Sequence, residues 1–465
     1  MGFVLSVLYF VTYYLTPPVI FGPLAAYRIE LILAGLVLLA SLPKLSGSLI
    51  WKTPQSLALV GLALAVCMSV VIGMHWLGGG MPAILAFIPN AFAYFLVCLH
   101  CDSKKKLQVL VLMMSFVCLF VIVQGSLQLR GVPETGSVLE GDSDDLQPVV
   151  MDDYPYLLSM TNGSGEYIYR LRGLGQINDP NDFAQMIVCI LPLMFIFWSP
   201  GKALQNVLLV LLPVSALLYG VFLTHSRGAL LALLAMVIVA ARRRIGTVPS
   251  LVLAGGLFVA ASALHFTGGR GISADAGADR TTLWGEGLQL FKSHPLFGAG
   301  LDSMADYTDT HHTAHNSLVV CAAELGLFGL YFWAMFLFPT VRDVLVIASP
   351  SKVSEGEPVI SEKERFPLAF RRIEVVNKAE ICRLGQLLLL SLTGFLVAGW
   401  FLSRALIMTF FLLGGIAEVV FGMALRQGMV SPRLPLARVL GYTGGFAISL
   451  LMLMYIMLRA VNLMH

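Results

Sequence analysis

Four arginines and one histidine stand beside turns or the starts of apolar runs: Arg172, Arg227, Arg280, Arg404 and His315. Arginine recognises phosphate through paired N–H donors at fixed geometry. A histidine can take a proton near neutral pH, since its reference pKa is about 6.5. Together these side chains suit the binding of a diphosphate beside a residue able to act as a base. Arg172 opens "RLRGLGQINDPNDFAQ", where Asn178 or Asp179 can cap a helix and Pro180 suits its first position. An outward-facing helix start offers free N–H groups and a positive dipole end to an anion. Arg227 lies in "LTHSRGALL", Arg280 begins an amphipathic stretch in "GADRTTLWGEGLQLF", and Arg404 sits in the tight turn "WFLSRALIM". For any single arginine the competing reading is an interfacial anchor that snorkels to the membrane surface.

"HHTAHNS" delivers His315 to the mouth of the run "HNSLVVCAAELGLFG". Within it Ala322, Gly326 and Gly329 form a small-residue stripe that predicts close approach of a neighbouring helix. Glu324 comes two and a half turns after His315 and faces away from it, so the two are not expected to act together. An intramembrane acid is either functional or paired with an arginine or a helix terminus. His311, His312, Asp302, Asp306 and Asp309 cluster near His315, but no HExxH signature accompanies them, and no metal is expected. A nucleotide cofactor is not expected either, because the chain has no Walker loop and "GLGQIN" does not follow a strand.

These residues need a scaffold, and composition supplies its class. The chain is 57% hydrophobic and 12% charged. Continuous apolar runs long enough to cross a hydrocarbon core of about 30 Å recur along it. Lipid cannot satisfy free backbone groups, and runs without period-two alternation select helices. The expected fold is an all-α, polytopic membrane bundle of 12–13 transmembrane helices with two long periplasmic segments. Residues 1–128 form the N-terminal helices and 129–180 the first outer segment. Residues 181–341 form a core that includes the second outer segment, 267–315. A cytoplasmic loop, 342–384, precedes the C-terminal helices, 385–465.

Orientation follows from charge. With the N-terminus inside, 20 of the 30 Lys and Arg residues fall on inner loops, which is the usual cytoplasmic bias. The net charge of +3 reflects this asymmetry and is no argument for nucleic acid as a partner. The outer segments contain none of the seven cysteines, so no disulfide is expected there. Seven carboxylates between Glu134 and Asp153 read as a solvated charge run. The segment from Leu283 to Phe291, with Trp284, Leu288 and Leu290, is expected to lie on the membrane face.

The chain resembles the O-antigen ligase and O-antigen polymerase superfamily. The matching pattern is His315, Asn316, nine residues, Gly326 and Gly329, supported by Arg172, Gly175, Pro180 and Asn181, by "SRG" at 226–228, and by "HPLFGAGL" after Arg280. The resemblance covers roughly residues 165–340. It implies a glycosyltransferase that moves a glycan from undecaprenyl diphosphate to an acceptor sugar on the periplasmic face of the bacterial inner membrane. The enzyme would be inverting and would need neither metal nor nucleotide sugar. The resemblance makes His315, Arg280 and Arg172 essential, with Arg227 as the "SRG" arginine. Arg404 is added from its position alone as a diphosphate contact. The acceptor would be lipid A-core for a ligase, or another glycan for a polymerase. A membrane transporter is the alternative from a different class.

Overall fold

A computed structural model describes residues 1–45, 53–132, 149–150, 154–161, 167–268, 274–349, 373–431 and 433–462. Most of the acidic run 134–153 and most of the loop 342–384 lie outside the described residues. Fourteen helices carry the fold of the described residues: α1 Gly2–Leu15, α2 Ile29–Leu45, α3 Pro54–Met68, α4 Gly80–His100, α5 Lys104–Gly131, α6 Pro180–Leu193, α7 Leu212–Thr224, α8 Arg227–Ile245, α9 Thr247–Ala263, α10 Ala274–Ser293, α11 Ser317–Ala348, α12 Lys378–Gly399, α13 Met408–Arg426 and α14 Leu436–Asn462. All but α10 coincide with apolar runs of the sequence. Among the described residues, nine segments are long and apolar enough to cross a membrane, and Gly2–Leu15 and Thr247–Ala263 are shorter apolar helices.

The bundle is built around α6 and α13, whose residues are almost all buried, and α11, most of whose residues are. Lipid is as apolar as a protein core, so close packing and polar staples hold such helices together. Phe410 is the hub of the packing, with Phe336 at 4.9 Å and Phe395 stacked at 5.2 Å. The main staple is Arg433. Its Nη2 donates to Asp343 and to Glu418 at 2.5 Å each, which ties the segment before α14 to α11 and α13. This staple lies at the end of the bundle that also carries Lys44, Lys104, Arg243 and Arg426, the basic end.

The opposite end holds the candidate chemistry. A three-stranded antiparallel sheet lies there, with β1 Val149–Val150, β2 Leu157–Thr161 and β3 Tyr167–Leu171 in the order β1-β2-β3. The segment 129–180 therefore carries a small sheet within an otherwise helical fold. Three helices start at this end with side-chain caps. Asp179 accepts from the N–H of Asn181 at 2.7 Å, Ser226 from that of Ala229 at 3.3 Å, and Asn316 from that of Leu318 at 3.0 Å. Asp179 is the cap of α6, and Pro180 follows it in the first turn.

The small-residue stripe of α11 works differently from the expectation. Gly326 breaks the helix with φ 65° and ψ −166°, a region essentially reserved for glycine. The loop "HPLFGAGL" enters this break. Ala299 and Gly300 donate their backbone N–H groups to the carbonyls of Ala323 and Glu324 at 3.0 and 3.1 Å. Leu327 and Phe328 donate to Pro295 and Leu296 at 2.8 and 3.1 Å. Backbone groups freed by the break are thereby satisfied. Gly326 thus admits a loop, where the stripe had predicted a helix. The part of α11 beyond the break, 327–348, is about 33 Å long, enough to cross the hydrocarbon core alone.

Amphipathic α10 also departs from expectation. Leu283, Trp284 and Leu290 are buried in the protein. The indole N–H of Trp284 donates to the Ala314 carbonyl at 2.8 Å, directly before His315. The apolar face of α10 packs on the bundle and does not lie on the membrane.

Candidate active site

Arg227 opens α8, because Ser226 caps the helix and leaves the next side chain at its mouth. Arg280 lies on α10, which Trp284 pins to the segment before α11. The two arginines line one pocket of about 40 Å³, together with Asn181, Ser226, Phe401 and Leu402. The guanidinium of Arg280 lies over the Phe401 ring, 5.5 Å from its centroid. Among the described residues Arg280 forms no salt bridge. Burial, and then the like charge of Arg227, push Arg280 below its ordinary pKa. Two close cations in a pocket with no carboxylate among its described lining residues make a site suited to an anion.

His315 is held by its own backbone. It sits in the left-handed region at φ 46°, and its N–H donates to Ser403 Oγ at 3.0 Å. Ser403 in turn pairs with Thr313 Oγ1 at 2.5 Å. Burial lowers the His315 pKa, and Arg280 lowers it further, against a smaller opposing pull from Asp179. The imidazole is thus kept neutral and able to accept a proton at neutral pH. Asn316 is fully buried and spends its Oδ1 on the N–H groups of Leu318 and Val319. Its role is to cap the helix that carries His315. The Asn316 Nδ2 has no partner among the described residues.

Arg172 lies farther back. Its Nε donates to the Pro155 carbonyl at 3.0 Å and leaves the rest of the guanidinium half-buried near Asp179. Arg170, not among the residues singled out from sequence, is buried deeper. It donates to the Thr224 carbonyl and to Asn181 Oδ1, each at 2.8 Å, and so ties β3 to α7 and α6. Asn181 in turn lines the Arg227/Arg280 pocket. Arg170 is two residues from Arg172 and has the same charge, so nothing in the sequence separates their roles.

Arg404 differs from the free phosphate contact that its position had suggested. Its Nε is paired with Asp182 Oδ2 at 2.9 Å, and Asp182 is buried in the first turn of α6. Arg404 lines a second cavity, on the other side of the 399–407 turn, together with Glu324. Glu324 accepts the N–H groups of Asp302 at 3.1 Å and Met304 at 3.3 Å, and so caps the turn Met304–Tyr307 after the docked loop. His311 and His312 are exposed. Among the described residues no three His, Cys, Asp or Glu side chains are grouped to hold a metal.

Residues 208–334, from the lead-in to α7 through the break in α11, match the family described as O-antigen ligase. This match supports the O-antigen ligase superfamily for the chain. The matched region contains Arg227, Arg280, His315, Glu324, Gly326 and Gly329, whereas Arg172 and Arg404 lie outside it. No curated protein matches the chain. The match supports a membrane enzyme of the ligase/polymerase type that acts on lipid-linked glycans, and the nine long apolar segments among the described residues suit a multi-pass membrane protein.

Proposed function

We propose that the protein transfers a glycan from undecaprenyl diphosphate to an acceptor sugar at the periplasmic face of the inner membrane, and that the reaction is O-antigen ligation to lipid A-core. The supporting observation is the pocket shared by Arg227 and Arg280, with His315 close enough for Arg280 to depress its pKa. The acceptor hydroxyl gives its proton to the His315 imidazole as its oxygen attacks the anomeric carbon. The bond from that carbon to the phosphate oxygen breaks, and its electron pair leaves on the diphosphate. Arg280 and Arg227 neutralise that charge in a site screened from water, where fixed cations act most strongly. Arg172 extends the clamp from the β3 side. Arg404 supports the site through Asp182 and the start of α6.

Fixed guanidinium charge can do the work asked of a divalent ion, so metal-independent transfer is part of the proposal. The clustering of polar groups at one end favours an enzyme over a transporter, whose substrate site belongs near the bilayer midplane. The test is to delete the gene and examine the surface lipopolysaccharide. Free core supports ligation. Core bearing a single repeat unit indicates polymerisation by the same site. An unchanged glycan profile removes the proposal.

A further inference from the structure

The 399–407 turn has a pocket on each side. Phe401 and Leu402 face the Arg227/Arg280 pocket, and residues 403–407 face a cavity of about 150 Å³. The two differ in charge. The second cavity is lined by the carboxylates of Asp302 and Glu324, the amides of Asn90 and Gln176, and the Ser403 hydroxyl. The cation among its lining residues is Arg404, already paired with Asp182. A diphosphate entering here would meet the side chains of two acids and an arginine whose Nε is already engaged by Asp182. We infer that this cavity is the acceptor subsite, taking an uncharged, hydroxyl-rich sugar ring, and that the two pockets sort the substrates by charge. The inference rests on the transfer reading above.

The hydrogen-bonding inventory fits such a ring. Asn90 Oδ1 accepts the Tyr13 hydroxyl at 3.1 Å, which leaves the amide N–H groups as donors without a protein partner among the described residues. The two Glu324 oxygens each accept one backbone N–H and each retain a lone pair. Sugar hydroxyls both donate and accept, so a wall that alternates these functions recognises them, while Phe87 offers an apolar face to ring C–H groups. Glu324 and Asn90 are buried and their positions fixed. Ser403 belongs to this wall and also accepts the His315 N–H. The base is therefore anchored to the rim of the cavity from which its proton would come.

The test uses full-length protein in liposomes, with an undecaprenyl-diphosphate-linked glycan as donor and core glycolipid as acceptor. Asn90→Ala, Gln176→Ala and Asp302→Asn are expected to raise the acceptor KM about tenfold for each lost hydrogen bond, and to leave kcat and the donor KM within about twofold. Ala86→Trp, which fills the cavity from α4, is expected to abolish binding of delipidated core oligosaccharide while undecaprenyl diphosphate still binds. An unchanged acceptor KM in all three polar variants overturns the inference. A raised donor KM, or loss of undecaprenyl diphosphate binding in every variant, overturns it as well, because the two pockets would not be separate. If the wild type binds core oligosaccharide, and Ala86→Trp removes that binding, yet the wild type transfers nothing, the cavity stands and the transfer reading falls.

Discussion

Arg280 and His315 form a coupled pair, and the coupling has a direction. His315 must be neutral to accept a proton, and burial together with Arg280 favours that form. Its pKa in the folded protein lies below the ordinary value of about 6.5, so transfer should hold through neutral pH and fall only as the pH drops through that lowered value. A pH–rate profile with its acid limb above about 6.5 would contradict the assignment. His315→Ala is expected to lose about 100-fold or more in rate, the range of general-base loss, while donor binding persists. Arg280→Ala should abolish transfer and weaken donor binding, and Arg280→Lys should restore only part, since an ammonium lacks the paired donors. Arg404 calls for a different experiment. Arg404→Ala strands the buried Asp182 carboxylate and should cost about 2 kcal/mol, less than a fully buried pair because Arg404 is partly exposed. Adding Asp182→Asn should recover the melting temperature. If the double variant is also fully active, Arg404 serves only the fold. Arg172, Arg227 and Arg404 drew notice in the sequence because each stands beside a turn or helix start, whereas Arg280, read as the start of its stretch, lies six residues inside α10. Arg170 drew none, since its partners are a backbone carbonyl and an asparagine eleven residues away. Asp182 reads in the sequence as an ordinary first-turn acid, and only the fold brings Arg404 to it.

At the scale of elements, the break in α11 decides how the site is assembled. The apolar run reads as one span over 316–341; the helix does begin there, capped by Asn316, but it runs on to Ala348, seven residues into the expected loop. The small residues within it mislead, because a glycine that admits a helix and one that admits a loop look alike in sequence. A Cβ on Gly326 would lie 2.5 Å from the Leu296 carbonyl carbon, at a φ of 65°. Gly298 is the counterpart, with a Cβ position 2.2 Å from the Glu324 backbone. Gly326→Ala should therefore cost about 3 kcal/mol or more from strain and overlap combined, seen as a lowered melting temperature in detergent. Full stability in that variant would mean that the loop does not occupy the break. The face of α10 was likewise legible as apolar but not as to what it covers. Amphipathicity gives a stripe and leaves the partner open, and here the partner is the protein, through Trp284 and the segment that carries His315.

At the scale of the whole molecule, apolar run length located the helices well, because lipid leaves a chain few alternatives. It could not locate the Arg433 staple, whose partners Asp343 and Glu418 come from separate helices and look isolated in the sequence. The basic end and the site end are opposite ends of one bundle, and the proposed reaction requires the site end to face the periplasm. The positive-inside bias assigns the basic end to the cytoplasm. Single cysteines at Ser143, Ser273 and Ser354 test this assignment, in a protein where Cys67 and Cys382, the two partly exposed native thiols, are replaced by serine. An impermeant thiol reagent applied to intact spheroplasts should label Ser143→Cys and Ser273→Cys, and should reach Ser354→Cys only after the membrane is opened. The reverse pattern would place Arg227, Arg280 and His315 in the cytoplasm. A lipid-linked glycan displayed on the periplasmic leaflet could not reach them there, and the proposed transfer would fail however well the pocket suits a diphosphate.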